Sequence, residues 1–570
     1  MLIKGNNIIK KFFIFAVVIF FCLTSLQIGA EKITTNEERT LNIEKGEITL
    51  TKENIKKIAQ INSCKKIISS SSLKGGTDLE VLTSDYYLGH TAVVSNGEGN
   101  AVFFIEYQNE NDPSIREIIA SPSYDNGLTW DFELTQGFPM DAGVNKLPVL
   151  DFRSGLTAYG SWVMDEPNGI TPMARLEDIS DPEAGEYGWV YWSPNWTDNF
   201  EEIGPFYSTD VACYDGPLNE EPDVFWGIAL WTGKLDDPKY DSFDNGIFLI
   251  WFSGDYIWIS WFRDLEGAYN IVTDIDQSNG MIYFASEVYN QKTRVNDLRL
   301  YYITMEDWFK EDRTFHYWKI DGPAKNPAIM AENGILNVVY ESKGDLKCVY
   351  SSDKGKTIKY STVAESKDNE LYPDITGNGL EAVCAFNKNN NLYIAETTDG
   401  GKTWKVDETP INDVTGSVAN EYHCINLLPY GVFWTDTRTD AKGVYSDFLI
   451  PPPESPTISG ASSGKINTKY DFKVKTTHPD GLDVWYLIDW GDGTNTGWLG
   501  PYSSGTEITE SHTWVTKQEF TIKARAKDEK GMYSSWSELP FSTPKTIPKY
   551  KSLFYNFLER FPLLQKIFGF

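Results

Sequence analysis

The chain reads as an all-β protein, and three observations carry that reading. The turn octapeptide Thr397-Thr398-Asp399-Gly400-Gly401-Lys402-Thr403-Trp404 is written twice more, as Ser123-Tyr124-Asp125-Asn126-Gly127-Leu128-Thr129-Trp130 and Ser351-Ser352-Asp353-Lys354-Gly355-Lys356-Thr357-Ile358. Two successive stretches repeat without a net gap: Pro327 to Pro373 (373 − 327) and Asp353 to Asp399 (399 − 353) both span 46 residues. Composition agrees, with 14% aromatic residues and 45 Gly, the mixture of strand and turn formers expected of short strands joined by tight turns.

Each octapeptide has a chemical recipe. The short acidic side chain folds back onto neighbouring N–H groups, and the glycine accepts a backbone angle that other residues resist. In two copies a tryptophan then opens the next strand with a large surface to bury. This Ser/Thr-x-Asp-x-Gly-x-Thr-Trp pattern resembles the Asp box, or BNR repeat, of sialidase-like β-propellers. The resemblance implies a structural role on the outer rim for Ser123, Asp125, Gly127 and Trp130, for Ser351, Asp353 and Gly355, and for Thr397, Asp399, Gly401 and Trp404. The 46-residue unit suits one four-stranded blade. Between Asp125 and Asp353 lie 228 residues (353 − 125), room for four generous steps or five tight ones. The expected ring has seven blades, with six as the alternative.

In chain order, residues 1–30 run from basic (Lys4, Lys10, Lys11) through an apolar stretch to the small pair Gly29-Ala30, which reads as a secretory signal, or as a transmembrane anchor if uncleaved. Residues 31–76 read as a leader with a short helix near 52–61. Strand-like runs then fill 77–450, among them 147–152, 188–192, 248–252, 257–262, 281–289 and 298–303. The last unit, from residue 421, is one strand short, and residues 78–84 could supply the missing strand and close the ring. Residues 451–456, PPPESP, form a stiff linker. In 457–543, the run Trp485-Tyr486-Leu487-Ile488-Asp489-Trp490-Gly491-Asp492-Gly493-Thr494, with His512-Thr513-Trp514 after it, resembles a PKD domain, an immunoglobulin-like sandwich. Such modules serve as spacers or adhesion units. Asp489 and Asp492 could hold calcium, although turn stabilisation is the simpler role. Residues 544–570 form an amphipathic tail suited to an interface or to packing back on the chain.

Charge narrows the partners. With 81 acidic and 51 basic side chains the formal charge is −30, which repels nucleic acid and anionic lipid. Six cysteines with no CxxC spacing suggest neither a zinc site nor a disulfide framework, and no cofactor motif is present. Cys348 and Cys384 read as small core residues.

A sialidase-like ring implies three arginines clamping a substrate carboxylate, a tyrosine nucleophile paired with a glutamate, and an acid/base aspartate. The first arginine belongs on the first blade's inner strand, where this chain has Gly89-His90-Thr91-Ala92-Val93. Arg153, Arg299 and Arg438 are the remaining candidates for a clamp. His90 and His423 read as core histidines. Trp192, Trp196 and Trp226 sit in aromatic stretches suited to stacking on sugar faces. The expectation is a secreted or cell-surface protein, held at the envelope by either terminus, that binds carbohydrate or a surface glycoprotein without catalysis. A glycoside hydrolase with a rearranged site is the alternative.

Overall fold

The structure is a computed structural model and describes residues 43–51, 78–83, 88–95, 99–108, 114–130, 136–138, 144–152, 158–164, 173–177, 186–194, 203–214, 226–235, 243–253, 256–262, 268–308, 315–439 and 442–543. The expected signal, the 52–61 helix and the amphipathic tail lie outside them. The described residues are all-β apart from a single helical turn, Met305–Trp308, and the chain divides into two units at Pro451.

Unit 1 holds seven antiparallel sheets. Six follow chain order, each strand pairing with the next: sheet I from Leu88–Ser95 to Gln136–Phe138, sheet II from Asn145–Phe152 to Glu186–Pro194, and sheet III from Ile203–Tyr214 to Tyr256–Phe262. Sheet IV runs from Ala268–Asp276 to His316–Ile320, sheet V from Lys325–Glu332 to Lys359–Ala364, and sheet VI from Glu370–Asn378 to Lys405–Asp407. Sheet VII has only Ile425–Leu428, Gly431–Asp436 and Gly443–Phe448 from its own stretch. Its fourth strand is Leu79–Thr83, antiparallel to Gly443–Phe448 with Leu79 opposite Ser446. One difference from the sequence reading is Ile43–Thr51. It falls in the expected leader yet forms a fifth, outer strand of sheet II against Glu186–Pro194.

The second strands explain how these small sheets are held. Ala101–Gln108, Met281–Asn290, Ile335–Ser342 and Gly431–Asp436 are buried over most of their length rather than at alternate residues. A strand covered on both faces loses its polar alternation, so these segments read as continuous apolar runs. Trp162, Trp231 and Trp434, each fully buried, stand on the second strands of sheets II, III and VII. Each such ring removes roughly 150–250 Å² from water, worth several kcal/mol at about 25 cal/mol per Å².

First strands of successive sheets lie side by side, and the first strand of sheet VII lies beside that of sheet I. Seven hydrogen bonds mark the junctions. Glu106 Oε1 accepts the Leu147 N–H (I to II, 2.6 Å), Asp151 accepts that of Cys213 (II to III, 2.7 Å), Asp210 that of Thr273 (III to IV, 2.7 Å) and Asp274 that of Ala331 (IV to V, 2.7 Å). Glu341 accepts the Tyr372 N–H (V to VI, 2.8 Å), Asp374 accepts that of Leu427 (VI to VII, 2.7 Å), and Asn426 donates to Thr91 Oγ1 (VII to I, 2.8 Å).

The three octapeptides close alike. Asp353 Oδ1 accepts the Thr357 N–H at 2.9 Å and Oδ2 its hydroxyl at 2.7 Å, while Ser351 Oγ accepts the Gly355 N–H at 3.0 Å. Asp125 binds Thr129, and Asp399 binds Thr403, through the same atoms. Each turn also packs on the preceding sheet: a Cβ on Gly127 would meet Phe433 of sheet VII, one on Gly355 would meet Tyr302 of sheet IV, and one on Gly401 would meet Asn337 of sheet V.

Unit 2 is a sandwich. Thr457–Ser459, Tyr470–Lys475 and Ile508–His512 form one sheet; Leu499–Tyr502, Val484–Asp489, Glu519–Asp528 and Ser537–Ser542 form the other. Phe472, Tyr486, Trp490, Trp514, Phe520 and Phe541 fill the space between. Tyr486 is fully buried and its hydroxyl is used twice, accepting the Thr476 N–H and donating to Thr506 O.

Candidate binding site where the first strands begin

The first strands share a local defect. Pairing with the second strand slips by one step between Leu88 and Thr91, Lys146 and Val149, Tyr269 and Val272, Lys325 and Ala328, and Leu371 and Asp374. These bulges carry left-handed residues: Leu147, Asn270, Asn326 and Tyr372, with φ between 44° and 53°. Asparagine takes that conformation readily, whereas Leu147 and Tyr372 bear a cost on the order of 1 kcal/mol. Proline follows at 148, 327 and 373, where a bulged strand has no ladder bond to lose.

A bulge leaves an N–H without its ladder partner, and buried carboxylates take it. Glu106, Glu287 and Glu341 occupy the ends of second strands and accept the N–H of Leu147, Asn326 and Tyr372. Glu287 also accepts both Asn270 Nδ2 and Asn296 Nδ2 at 2.6 Å, and Glu341 accepts Asn326 Nδ2 at 2.7 Å while facing Lys325 Nζ at 3.1 Å. A continuous polar chain therefore runs from Asn270 through Glu287, Asn326 and Glu341 to Tyr372, crossing sheets IV, V and VI. Burial pushes the Glu287 carboxyl up, the three hydrogen bonds oppose it, and Glu341 adds to the rise.

Tyr422 precedes the first strand of sheet VII and reaches across to sheet V, donating to Pro327 O at 3.1 Å. Burial, then the charges of Glu287, Asp210, Asp374 and Glu341, hold its phenol well above the usual range. Those four acids stand on sheets III, IV, V and VI, which puts Tyr422 where the sheets converge. His423 (φ 59°) lies against the Tyr422 ring, with centroids 3.9 Å apart. Burial and the neighbouring His90 push its imidazole down to about 3, so it is neutral at physiological pH. His90 Nδ1 sits 3.0 Å from Glu106 Oε1, and Arg116 approaches the other oxygen at 3.9 Å. Tyr207 and the exposed Tyr269 pair at 6.0 Å on sheets III and IV.

Among the residues singled out by sequence, Arg438 is committed within sheet VII. Its guanidinium bonds both oxygens of Asp436, pairs with Asp78 at 2.6 Å, and stacks over Tyr445 at 3.8 Å. Arg299 stands on the third strand of sheet IV, between Ser286 and Lys319, over the Tyr317 ring. Each is held in its own sheet. Arg153 and Trp196 lie outside the described residues. Trp192 falls opposite Met173 and Lys45 in the backbone register, and Trp226 opposite Tyr214; their side chains are outside the described set. Asp489 and Asp492 serve their own loop, accepting the N–H of Gly491 and Thr494, and Asp492 also pairs with His512 at 2.8 Å.

Sequence reading missed Glu106, Glu287, Glu341, Tyr372 and Tyr422. The available signal was the pair Asn326-Pro327 and Tyr372-Pro373, which marks the bulge as well as the repeat. Cys348 and Cys384 are buried, and burial pushes the Cys348 thiol up to about 12. Among the described residues no cluster of three metal-ligating side chains occurs, and no helix is long and apolar enough to cross a membrane.

No family model matches the chain, and no curated protein does. Among solved structures, the chain is similar to the PKD domain of an M14-like peptidase from Thermoplasmatales archaeon SCGC AB-540-F20, at 42% identity over 16% of this chain and 97% of that one, with a TM-score of 0.16. A biofilm-associated protein BSP domain aligns at 8% identity over 85% of this chain and all of that one, with a TM-score of 0.13.

Proposed function

We propose that unit 1 is a seven-bladed, Asp-box β-propeller that binds carbohydrate or a surface glycoprotein at the mouth of its axis, without catalysis, and that unit 2 is a PKD module carried beside it on a secreted or surface-held chain. Seven small sheets with first strands in cyclic order, one completed by an N-terminal strand, support the ring. The WGDGT run and the seven-stranded sandwich support the module.

One observation carries the binding reading. The carboxylates at the bulges, Glu106, Glu287 and Glu341, already serve as acceptors for the backbone of the next sheet. An acid fixed in that way positions strands and is a poor proton shuttle. What remains for a ligand is aromatic: the exposed ring of Tyr269 and the partly exposed rings of Tyr372 and Tyr422, faces suited to stacking on sugars, since the amides of Asn270 and Asn326 are themselves taken up in the polar chain. The raised phenol of Tyr422 is the reverse of an activated nucleophile.

The proximity of Tyr422 to Glu287 and Glu341 is the feature that favours the alternative, a sialidase-like hydrolase. One experiment separates the two: the secreted chain is screened on a glycan array and against fluorogenic glycosides, sialosides included. Binding weakened at least tenfold by Tyr269→Ala, with no turnover, is the expected result. Turnover abolished by Tyr422→Phe would replace the binding reading with the hydrolase.

A further inference from the structure

On unit 2, the strand Glu519–Asp528 alternates strictly: Phe520, Ile522, Ala524 and Ala526 face the core, leaving Lys523, Arg525 and Lys527 together on the opposite face. Alternate residues on a strand stand about 7 Å apart; Lys523 is paired with Glu538 at 3.4 Å, and the row continues with Arg525 and Lys527. Aromatic rings are set among them. The Arg525 guanidinium lies 4.7 Å from the Tyr533 ring, 4.8 Å from Trp536 and 5.8 Å from Trp498, and Lys527 Nζ lies 4.6 Å from Trp498. Trp498 and Tyr533 meet edge to face at 5.7 Å. All of these residues are partly exposed.

A sandwich needs none of this for its own core, which is filled from the other face. The face is mixed in sign at its Lys523 end, where Asp489 and Glu538 stand opposite, and cationic at Arg525 and Lys527, among the rings. We propose that this face of the four-stranded sheet is a second binding site, distinct from the mouth of unit 1, for an anionic polysaccharide whose charges are uronate carboxylates. Two parts of such a polymer match two parts of the face. Pyranose rings stack on Trp498, Tyr533 and Trp536, as sugars do on aromatic platforms. Carboxylates repeat along the chain and meet Arg525 and Lys527, the guanidinium offering a bidentate fork held flat by the rings around it. Nucleic acid offers stacking and anions too, but the charge of the whole chain opposes any polyanion, and dense phosphates more than the sparser carboxylates of a polyuronate.

The test is affinity electrophoresis of the full chain through gels containing polygalacturonate or, as control, neutral dextran. Polygalacturonate is expected to retard the chain, less so as salt rises, and dextran is not. Arg525→Gln combined with Lys527→Gln should weaken retardation at least tenfold, and Tyr269→Ala at the mouth of unit 1 should leave it unchanged. Because Arg525 packs among rings, Lys527→Gln alone and its rescue by Lys527→Arg provide variants that leave those ring contacts in place. Equal retardation of wild type and double variant, retardation in dextran, or none in polygalacturonate would overturn the proposal. So would sedimentation showing that the double variant abolishes self-association instead, which would assign the face to another copy of this acidic chain.

Discussion

Asp374 shows what a carboxylate does at these junctions. It accepts the Leu427 N–H across to the next sheet and the Ile375 N–H in its own strand. Burial nevertheless lifts its carboxyl from 3.8 to about 6, because two N–H dipoles do not replace the water it gave up. A carboxyl raised in the folded chain holds its proton more tightly there. Its contribution to stability is therefore full below about 3.8 and is lost as pH rises through about 6. In urea titrations at pH 5 and pH 7, the wild type should gain on Asp374→Asn at the lower pH. Only the part of the shift that titrates between those two values is read, at most about 1 kcal/mol, less because part of the residue is exposed. A difference that stays flat between those values would place this carboxyl in the ordinary range. Asp353 in its turn behaves oppositely: the Thr357 hydroxyl and N–H hold it below the usual range, so its contribution is lost only as pH falls into the acid region. Glu341 is costlier to remove than either, since Tyr372 N, Asn326 Nδ2 and Lys325 all point at it. Glu341→Ala should destabilise by about 2–4 kcal/mol in denaturant titration. A loss under 1 kcal/mol would show that the junction tolerates water.

At the scale of elements, what the sequence revealed and what it hid divide by the distance between partners. The octapeptides were legible because the side-chain bonds that close them are local: Asp399 reaches Thr403, and Thr397 Oγ1 accepts the Gly401 N–H, within one turn. The bulges were hidden because the acid that holds each one comes from a neighbouring sheet, 41 residues away for Glu106 and Leu147 and 31 for Glu341 and Tyr372. No fixed spacing joins them. Arginines are hard to place from sequence for a related reason, since a guanidinium and its partners come from separate strands: Arg438 was legible as a turn partner of Asp436 but not as a partner of Asp78. Gly401 ties the two kinds of information together. It has φ +85°, and a Cβ there would meet Asn337 Oδ1 of the preceding sheet at 1.8 Å. Gly401→Ala should therefore cost about 1–3 kcal/mol, more than the backbone term alone. If Asn337→Ala in the same chain restores nothing, the backbone angle is the whole effect and the turn does not brace its neighbour.

For unit 1 as a whole, the decisive contact joins residues more than 300 positions apart. Leu79–Thr83 supplies the outer strand of sheet VII, and the pairing is reinforced beyond its ladder. Asp78 pairs with Arg438, accepts the Asp413 N–H and takes a bond from its own N–H to Asp413 Oδ2, while Tyr445 donates to Glu80. Arg438 is thus a latch between the two ends of the unit, and its stack over Tyr445 keeps the guanidinium flat against the strand it locks. A latch of this kind binds the stability of sheet VII to an N-terminal strand: without it, Gly443–Phe448 becomes an open edge and the Asp436–Arg438 pair loses its third member. Two truncations isolate the effect. A chain beginning at residue 77 keeps the strand, and one beginning at residue 85 lacks it, so other losses at the N-terminus cancel in the comparison. The shorter chain should unfold several degrees lower and associate with itself through the bared edge, as read by thermal denaturation and light scattering. Arg438→Ala in the longer chain should move the midpoint part of the way in the same direction and have a smaller effect in the shorter one, where Asp78 is already gone and the pair with Asp436 remains to be lost. Equal midpoints for the two truncations would mean that sheet VII is complete with three strands and that Leu79–Thr83 adds nothing to the stability of unit 1.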